Sequence, residues 1–259
     1  MNADRRRSYL SHPGTSATLS DHRSPRNLSG FICVYLRLLS LGVGVAACAN
    51  EAKPRPQGAA STDTPASSQA NTNAPAIVFL GTSLTAGLGL DPGQAYPALV
   101  QNKLDSAGLS YRVVNAGVSG ESSAGAVRRI GWVLSRPPAI LVIETGANDG
   151  LRGQSADSLA DNLQALIDST RRLAPGAIIV LAGMEVLPNL GAEYAGRFRA
   201  VYPAVSRANH VPLIPFLLQG VAGVDSLNQA DGIHPNEAGA EIVAGNVWST
   251  LVPLLKGRR

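Results

Sequence analysis

Residues 139–150 read AILVIETGANDG, and this stretch gives the strongest indication of the fold. It joins a continuous apolar run to a polar segment that contains glycine. A run of this length, preceded by Pro137 and Pro138, indicates a strand that is buried on both faces. In parallel α/β sheets, ligands bind just beyond the carboxyl ends of such strands. The stretch therefore predicts a covered parallel sheet, with functional residues directly after its strands.

The same pattern recurs along the chain from Ala76, where short apolar runs alternate with stretches of helical spacing. The predicted strands span residues 76–80, 111–115, 139–144, 177–182 and 211–214. The predicted helices span residues 96–107, 123–134, 157–173, 194–209 and 236–255. Ser155 is predicted to cap the third helix, and Pro203 to kink or break the fourth. This alternation predicts an α/β fold, a three-layer α/β/α sandwich whose central parallel sheet has about five strands.

Charge and cysteine content exclude several classes of protein. Six basic and two acidic residues precede Cys48, so this segment carries the whole net charge of +4. The rest has 16 basic and 16 acidic residues and is neutral, which argues against a nucleic-acid-binding groove. Both cysteines, Cys33 and Cys48, lie in the first 48 residues. The remainder therefore cannot use a thiol nucleophile, a CxxC redox motif or a cysteine zinc site.

The first 75 residues divide into a leader and a linker. The apolar run that ends just before Cys48 is about ten residues long, which suits the h-region of a signal peptide. Together with Val45, Ala46 and Ala47 it resembles a bacterial lipobox, which implies lipidation of Cys48 and an exported, membrane-anchored protein facing the periplasm or cell exterior. A secretory signal or an uncleaved anchor are the alternatives. Residues 49–75 are rich in Ala, Ser, Thr and Pro and predict a disordered tether, which leaves a domain at residues 76–259.

Four polar, glycine-rich segments are expected to meet at one edge of the sheet. They are residues 81–89, 115–121, 145–150 and 231–235. None contains the GxGxxG or GK[ST] pattern of a phosphate-binding loop, which argues against nucleotide binding. Ser83 is also outside a GxSxG elbow, because Thr85 takes the place of the second glycine, and this argues against an α/β-hydrolase fold.

His234 is a candidate general base. The domain has one other histidine, His210, which follows a predicted helix and is expected at the surface, away from this edge. A hydrolase that uses Ser83 needs a base that titrates near neutral pH. Asp231 precedes His234 by three residues in a turn and could orient its imidazole. A buried structural histidine is the alternative, whereas a metal site lacks further ligands.

The four segments resemble, in order, the sequence blocks of the SGNH (GDSL-like) hydrolases. GTSLTAG is similar to the first block, NAGVSGES to the glycine block, GANDG to the GxND block and DGIHP to the DxxH block. The surrounding sequence resembles the arylesterase, thioesterase I and lysophospholipase branch, over about residues 76–255. The resemblance implies a flavodoxin-like sheet, an ester hydrolase without metal or organic cofactor, and a monomer.

The resemblance also implies roles for individual residues. Ser83 would attack the ester carbonyl, His234 would transfer the proton, and Asp231 would orient His234. The oxyanion would be held by the backbone N–H groups of Ser83 and Gly117 and by the side-chain amide of Asn148. One residue departs from the family, whose first block has an aspartate where this chain has Thr82. Because Thr82 offers a hydroxyl without charge, we expect weaker preorganisation, and Thr82→Asp is predicted to raise turnover.

Three leucines near these loops are candidates for contact with an acyl or aryl group: Leu151, Leu187 and Leu190. Packing between the loops is the alternative. The predicted substrates are aryl, acyl or lysophospholipid-like esters or thioesters. Two other interpretations stay open at this point, a carbohydrate O-deacetylase of the same superfamily and a ligand-binding lipoprotein that has lost catalysis.

Overall fold

A computed structural model describes residues 73–186 and 188–256, and a sheet of five parallel strands forms its centre. The leader with Cys48, most of the tether and Leu187 lie outside the described residues. In chain order the elements are β1 Ala76–Gly81, α1 Ser83–Ala86, α2 Tyr96–Ser106, β2 Arg112–Gly117, α3 Ser123–Val133, β3 Ile140–Glu144, α4 Ala147–Leu151, α5 Ala156–Leu173, β4 Ile178–Ala182, α6 Ala192–Asn209, β5 Leu213–Ile214 and α7 Glu237–Lys256. Short 3-10 turns occur at Pro188–Leu190 and Asp225–Leu227.

The strand order β2-β1-β3-β4-β5 determines where a ligand can enter. The chain passes from β1 outward to β2 and then returns to place β3 on the other side of β1. In such a sheet the connections from β1 and β3 leave in opposite directions, which opens a crevice at their carboxyl ends. Gly81 and Glu144, the last residues of β1 and β3, therefore border this crevice.

The sheet is covered by helices on both faces. Helix α2 packs against α7, whereas α5 packs against both α3 and α6. Every residue of β1 and β3 is buried, which explains why the apolar runs in their sequences show no alternation. The architecture is the predicted three-layer α/β/α sandwich.

Most element boundaries agree with the sequence prediction to within two residues. Ser155 caps α5, because its side chain accepts a hydrogen bond from the Asp157 N–H at 3.2 Å. β5 is shorter than predicted, with two residues. The short helices α1 and α4, which directly follow β1 and β3, were not predicted.

Pro203, which was predicted to kink or break the fourth helix, does not break it, because α6 continues through the proline. Pro203 has no N–H, so α6 loses one bond to the carbonyl of Arg199, and the proline ring crowds that carbonyl. Tyr202 directly before the proline and Val205 two residues after it are both buried in the core. Their burial holds the helix together across the proline.

Helix α7 is the one helix in the described ranges that is long and apolar enough, by length and composition alone, to cross a membrane. One of its faces lies in the core of the domain, where Val243, Val247 and Leu251 are buried. Packing in the core therefore explains these apolar residues of α7 without a membrane.

Candidate active site

Ser83, His234 and Asp231 are joined by hydrogen bonds at the carboxyl edge of the sheet. The His234 Nε2 atom lies 2.8 Å from Ser83 Oγ, and His234 Nδ1 lies 2.6 Å from Asp231 Oδ2. Ser83 and His234 are 151 residues apart in the chain. The fold therefore brings together a hydroxyl, an imidazole and a carboxylate in the order that proton transfer requires.

Ser83 lies on a tight turn between β1 and the four-residue helix α1. The turn ends at Gly87, which has a φ of 74° and whose backbone N–H bonds the carbonyls of Ser83 and Leu84. A Cβ on Gly87 would lie 2.5 Å from that of Ala95, so this position also requires glycine for space. The Ser83 side chain consequently faces a cavity at the edge of the sheet, which Ser83 and His234 both line.

The Asp231 carboxylate organises the loop that carries His234. Its Oδ1 atom accepts hydrogen bonds from the backbone N–H groups of Ile233 and His234, each at 3.0 Å. These bonds, the one from His234 first, lower the pKa of Asp231 to about 2. Because Asp231 is ionised, His234 Nδ1 carries the proton of their shared bond. Nε2 is thereby left to accept the proton of Ser83.

Asn148 lies close to the predicted nucleophile. It lines the same cavity as Ser83, and its Nδ2 donates to the Glu121 carbonyl at 3.1 Å. That bond orients the amide and leaves its second N–H available. The neighbouring Asp149 is buried and accepts bonds from the N–H and hydroxyl of Ser123, which ties α4 to α3.

Gly117 does not reach the site in the predicted way. Its N–H donates to Asn115 Oδ1 at 2.9 Å, and it is absent from the cavity wall. A Cβ on Gly117 would lie 2.2 Å from the backbone nitrogen of Ala86, so this glycine allows β2 to pass close to α1. The sequence block contains a second glycine, Gly120, which lines the cavity beside Ser83 and Asn148. The Gly120 N–H has no hydrogen-bond partner within residues 73–186 and 188–256.

The cavity has a volume of about 570 Å³ and a largely apolar wall. The wall includes Met184, Val186, Phe216 and Leu218. Two of the three candidate leucines, Leu151 and Leu190, also line it, with 52% and 40% of their surface exposed. Leu187 lies outside the described residues, and its predicted role stays a prediction.

His210 ends α6 in a left-handed conformation and is exposed, as predicted. Within the described ranges, no group of three or more His, Cys, Asp or Glu side chains could hold a metal ion.

One group at this edge was not predicted from the sequence, the carboxyl of Glu144 at the end of β3. It is fully buried and accepts hydrogen bonds from Thr82 and Thr85, which flank the nucleophile turn. The sequence did contain a sign of this group, because Glu144 is the one charged residue in the otherwise apolar strand β3. A buried carboxyl at such a position requires donors close by.

Comparison with known proteins identifies the family of the chain. Residues 79–242 match the GDSL-like lipase/acylhydrolase family. Esterase TesA of Pseudomonas aeruginosa is 44% identical over 180 residues, which cover 69% of this chain and 89% of the relative. Thioesterase 1/protease 1/lysophospholipase L1 of Escherichia coli K12 is 32% identical over 69% of this chain and 84% of its own length.

Solved structures show the same similarity. The crystal structure of AlinE4, an SGNH-hydrolase family esterase, has a TM-score of 0.59 at 38% identity and covers 70% of this chain and 96% of that structure. The family model, the curated relatives and the solved structures agree on one family. The chain belongs to the GDSL-like lipase/acylhydrolase family.

Proposed function

We propose that the protein is a serine esterase that hydrolyses carboxylic esters or thioesters. The observation that carries the proposal is the chain of hydrogen bonds from Ser83 Oγ through His234 to Asp231, at the mouth of an apolar cavity. The relatives named above as esterase and thioesterase support the same reaction class.

The reaction follows from the order of the three groups. The Ser83 oxygen bonds to the carbonyl carbon of the ester while its proton moves to His234 Nε2. The resulting imidazolium is stabilised by the ionised Asp231. When the tetrahedral intermediate collapses, the bond to the alcohol or thiol breaks and the leaving group takes the proton from His234. Water then attacks the acyl-enzyme by the same two proton transfers and releases the acid.

The oxyanion of the intermediate requires donors that already point into the cavity. We assign this role to the N–H groups of Ser83 and Gly120 and to the amide of Asn148. Ser83 is the first residue of α1, so its N–H has no partner within that helix. Gly120 replaces the predicted Gly117, whose N–H is already bonded to Asn115. Each such donor stabilises a transition state by about 3 kcal/mol.

The cavity supports an acyl or aryl group as the part of the substrate that binds there. Its apolar wall buries hydrocarbon, and its volume of about 570 Å³ falls in the range of small-molecule sites. A sugar would need several polar partners, so the wall favours an acyl ester over a carbohydrate O-acetyl ester. The assembled hydrogen bonds of Ser83, His234 and Asp231 argue against a protein that only binds its ligand.

The location of the protein is proposed from sequence alone. The leader and tether at residues 1–75 indicate export, with lipid attachment at Cys48 and a monomeric domain held off a membrane. Expression of the full chain and of Cys48→Ser, followed by separation of membrane and soluble fractions, tests the anchor. Equal partition of the two proteins would contradict it.

Hydrolysis of p-nitrophenyl acetate, butyrate and octanoate by the full chain, beside Ser83→Ala, tests the proposed activity. We expect hydrolysis that Ser83→Ala abolishes, with the longer esters preferred because they fill the cavity. A preference confined to acetate would support the deacetylase alternative. Equal rates for the two folded proteins would refute the serine esterase.

A further inference from the structure

Glu144 is a completely buried carboxyl directly beneath the nucleophile turn, and the proposed reaction gives it no role. Its Oε2 atom accepts from the Thr82 N–H at 2.7 Å and from the Thr85 hydroxyl at 2.8 Å. Its Oε1 atom accepts from the Thr82 hydroxyl at 2.9 Å. One carboxyl thus binds the residue before Ser83 and the residue two positions after it.

The hydroxyl groups near Glu144 form a chain of hydrogen bonds that ends at its carboxyl group. The Tyr96 hydroxyl lies 2.7 Å from Thr85 Oγ1, and Thr85 in turn bonds Glu144. If Tyr96 donates to Thr85, every available hydrogen in the cluster points toward the carboxylate. Burial raises the pKa of Glu144, whereas the bonds from Thr82 and Thr85 oppose that increase. A buried polar network of this kind is rigid when all of its members are satisfied.

The backbone of the turn is fitted closely around this carboxyl. A Cβ on Gly81 would lie 2.6 Å from Glu144 Oε2 and would also collide with the Thr85 side chain. Thr82 stands at the N-cap of α1, but its side chain makes no cap bond to the helix. It bonds Glu144 instead, so β3 rather than α1 itself holds the start of the helix.

We propose that Glu144 is a positioning residue for the nucleophile, which fixes residues 82–85 so that Ser83 Oγ meets His234 Nε2. Thr82, which stands where the family's first block has an aspartate, acts in this chain as a donor to Glu144. The inference rests on the proposed role of Ser83. The carboxyl that holds the nucleophile turn is thus supplied by β3, the strand next to β1.

The test compares Glu144→Gln with the wild-type full chain in kcat, KM and melting temperature. The amide retains the volume of the carboxyl but turns an NH2 group toward donors. A small displacement of Ser83 lowers the rate steeply, so we expect kcat to fall on the order of tenfold to a hundredfold. KM should change less than twofold or so, because the cavity wall is untouched. Thr170→Val is the matched control, since it removes a buried bond to the Leu166 carbonyl on α5, and it should keep kcat.

Variants of Thr82 provide the second arm, which holds even if Glu144→Gln does not fold. Thr82→Val removes the hydroxyl and should lower kcat, whereas Thr82→Ser retains it and should restore the wild-type value. A Glu144→Gln enzyme with lower melting temperature but unchanged kcat would overturn the positioning role. Equal kcat for Thr82→Val and Thr82→Ser would overturn it too. Failure of the proposed function is distinguishable, because the wild type itself would then show no Ser83-dependent hydrolysis.

Discussion

At the scale of single residues, the charge state of Asp231 is the feature with the clearest consequence. Its pKa is lowered from 3.8 to about 2, chiefly by the backbone N–H groups of His234 and Ile233. A carboxyl with a depressed pKa stabilises the fold above its unfolded pKa, and this contribution is lost as the pH falls through the folded value.

We therefore predict that wild type is more stable than Asp231→Asn at neutral pH, and that the difference narrows as pH falls from about 4 to about 2. Melting temperatures of both proteins across this range test the prediction. A difference that stays constant down to pH 2 would contradict it. Over any range above pH 4, Asp231 stays ionised, so a loss of activity there has another origin.

Asn148 is the side chain whose loss should isolate stabilisation of the oxyanion. Asn148→Ala is expected to lower kcat by about a hundredfold to a thousandfold with little change in KM. The control is Asn209→Ala, which removes buried hydrogen bonds to Gln164 and Val205 far from the cavity and should keep kcat. If Asn148→Ala lowers affinity alone, the amide binds substrate without acting on the transition state.

Because Thr82 bonds the buried Glu144, the effect of Thr82→Asp on turnover should depend on pH. An aspartate at this position would lie beside the buried Glu144, and repulsion between two carboxylates would raise one of the two pKa values strongly. Any gain in turnover from the aspartate is thus expected only at pH values at which the two carboxyls still share a proton. The ratio of kcat for Thr82→Asp to that of wild type should fall as pH rises from about 5 to about 9. A ratio that is flat across this range would contradict the pairing.

At the scale of elements, the strands were predictable because they are apolar on both faces, as at residues 139–144 and 177–182. The helices followed from their spacing and, for α5, from the Ser155 cap. That α6 continues through Pro203 could not be predicted from local propensity, because it depends on the burial of Tyr202 before the proline and Val205 after it. β5 is shorter than the predicted strand at residues 211–214, because only Leu213 and Ile214 pair with β4.

Replacing Pro203 with alanine should stabilise α6. Alanine restores an N–H for the Arg199 carbonyl and removes the clash of the ring with that carbonyl, effects worth roughly 1–3 kcal/mol in a helix interior. We expect a higher melting temperature and unchanged kcat, measured by thermal unfolding and ester hydrolysis. A lower melting temperature would show that α6 is adapted to the proline.

At the scale of the whole molecule, the strand order β2-β1-β3-β4-β5 explains why motifs far apart in sequence form one site. That Ser83, Asn148, Asp231 and His234 meet at one edge was predictable, because they occur in three motifs, two after strands and one near the carboxyl terminus. The bonds of Glu144 to the nucleophile turn and the bond of the Gly117 N–H to Asn115 were not predictable. They depend on which group approaches the turn and which N–H is already bonded, and these are contacts that form only in the folded chain.

The central claim is that Ser83 is a nucleophile activated by His234. Its most direct test is reaction of the full chain with an alkyl fluorophosphonate, followed by mass spectrometry of the proteolytic peptides. The account predicts one phosphonyl adduct, located on Ser83, which forms much more slowly in folded His234→Ala. An adduct at another residue, or no adduct in the folded wild type, would contradict it.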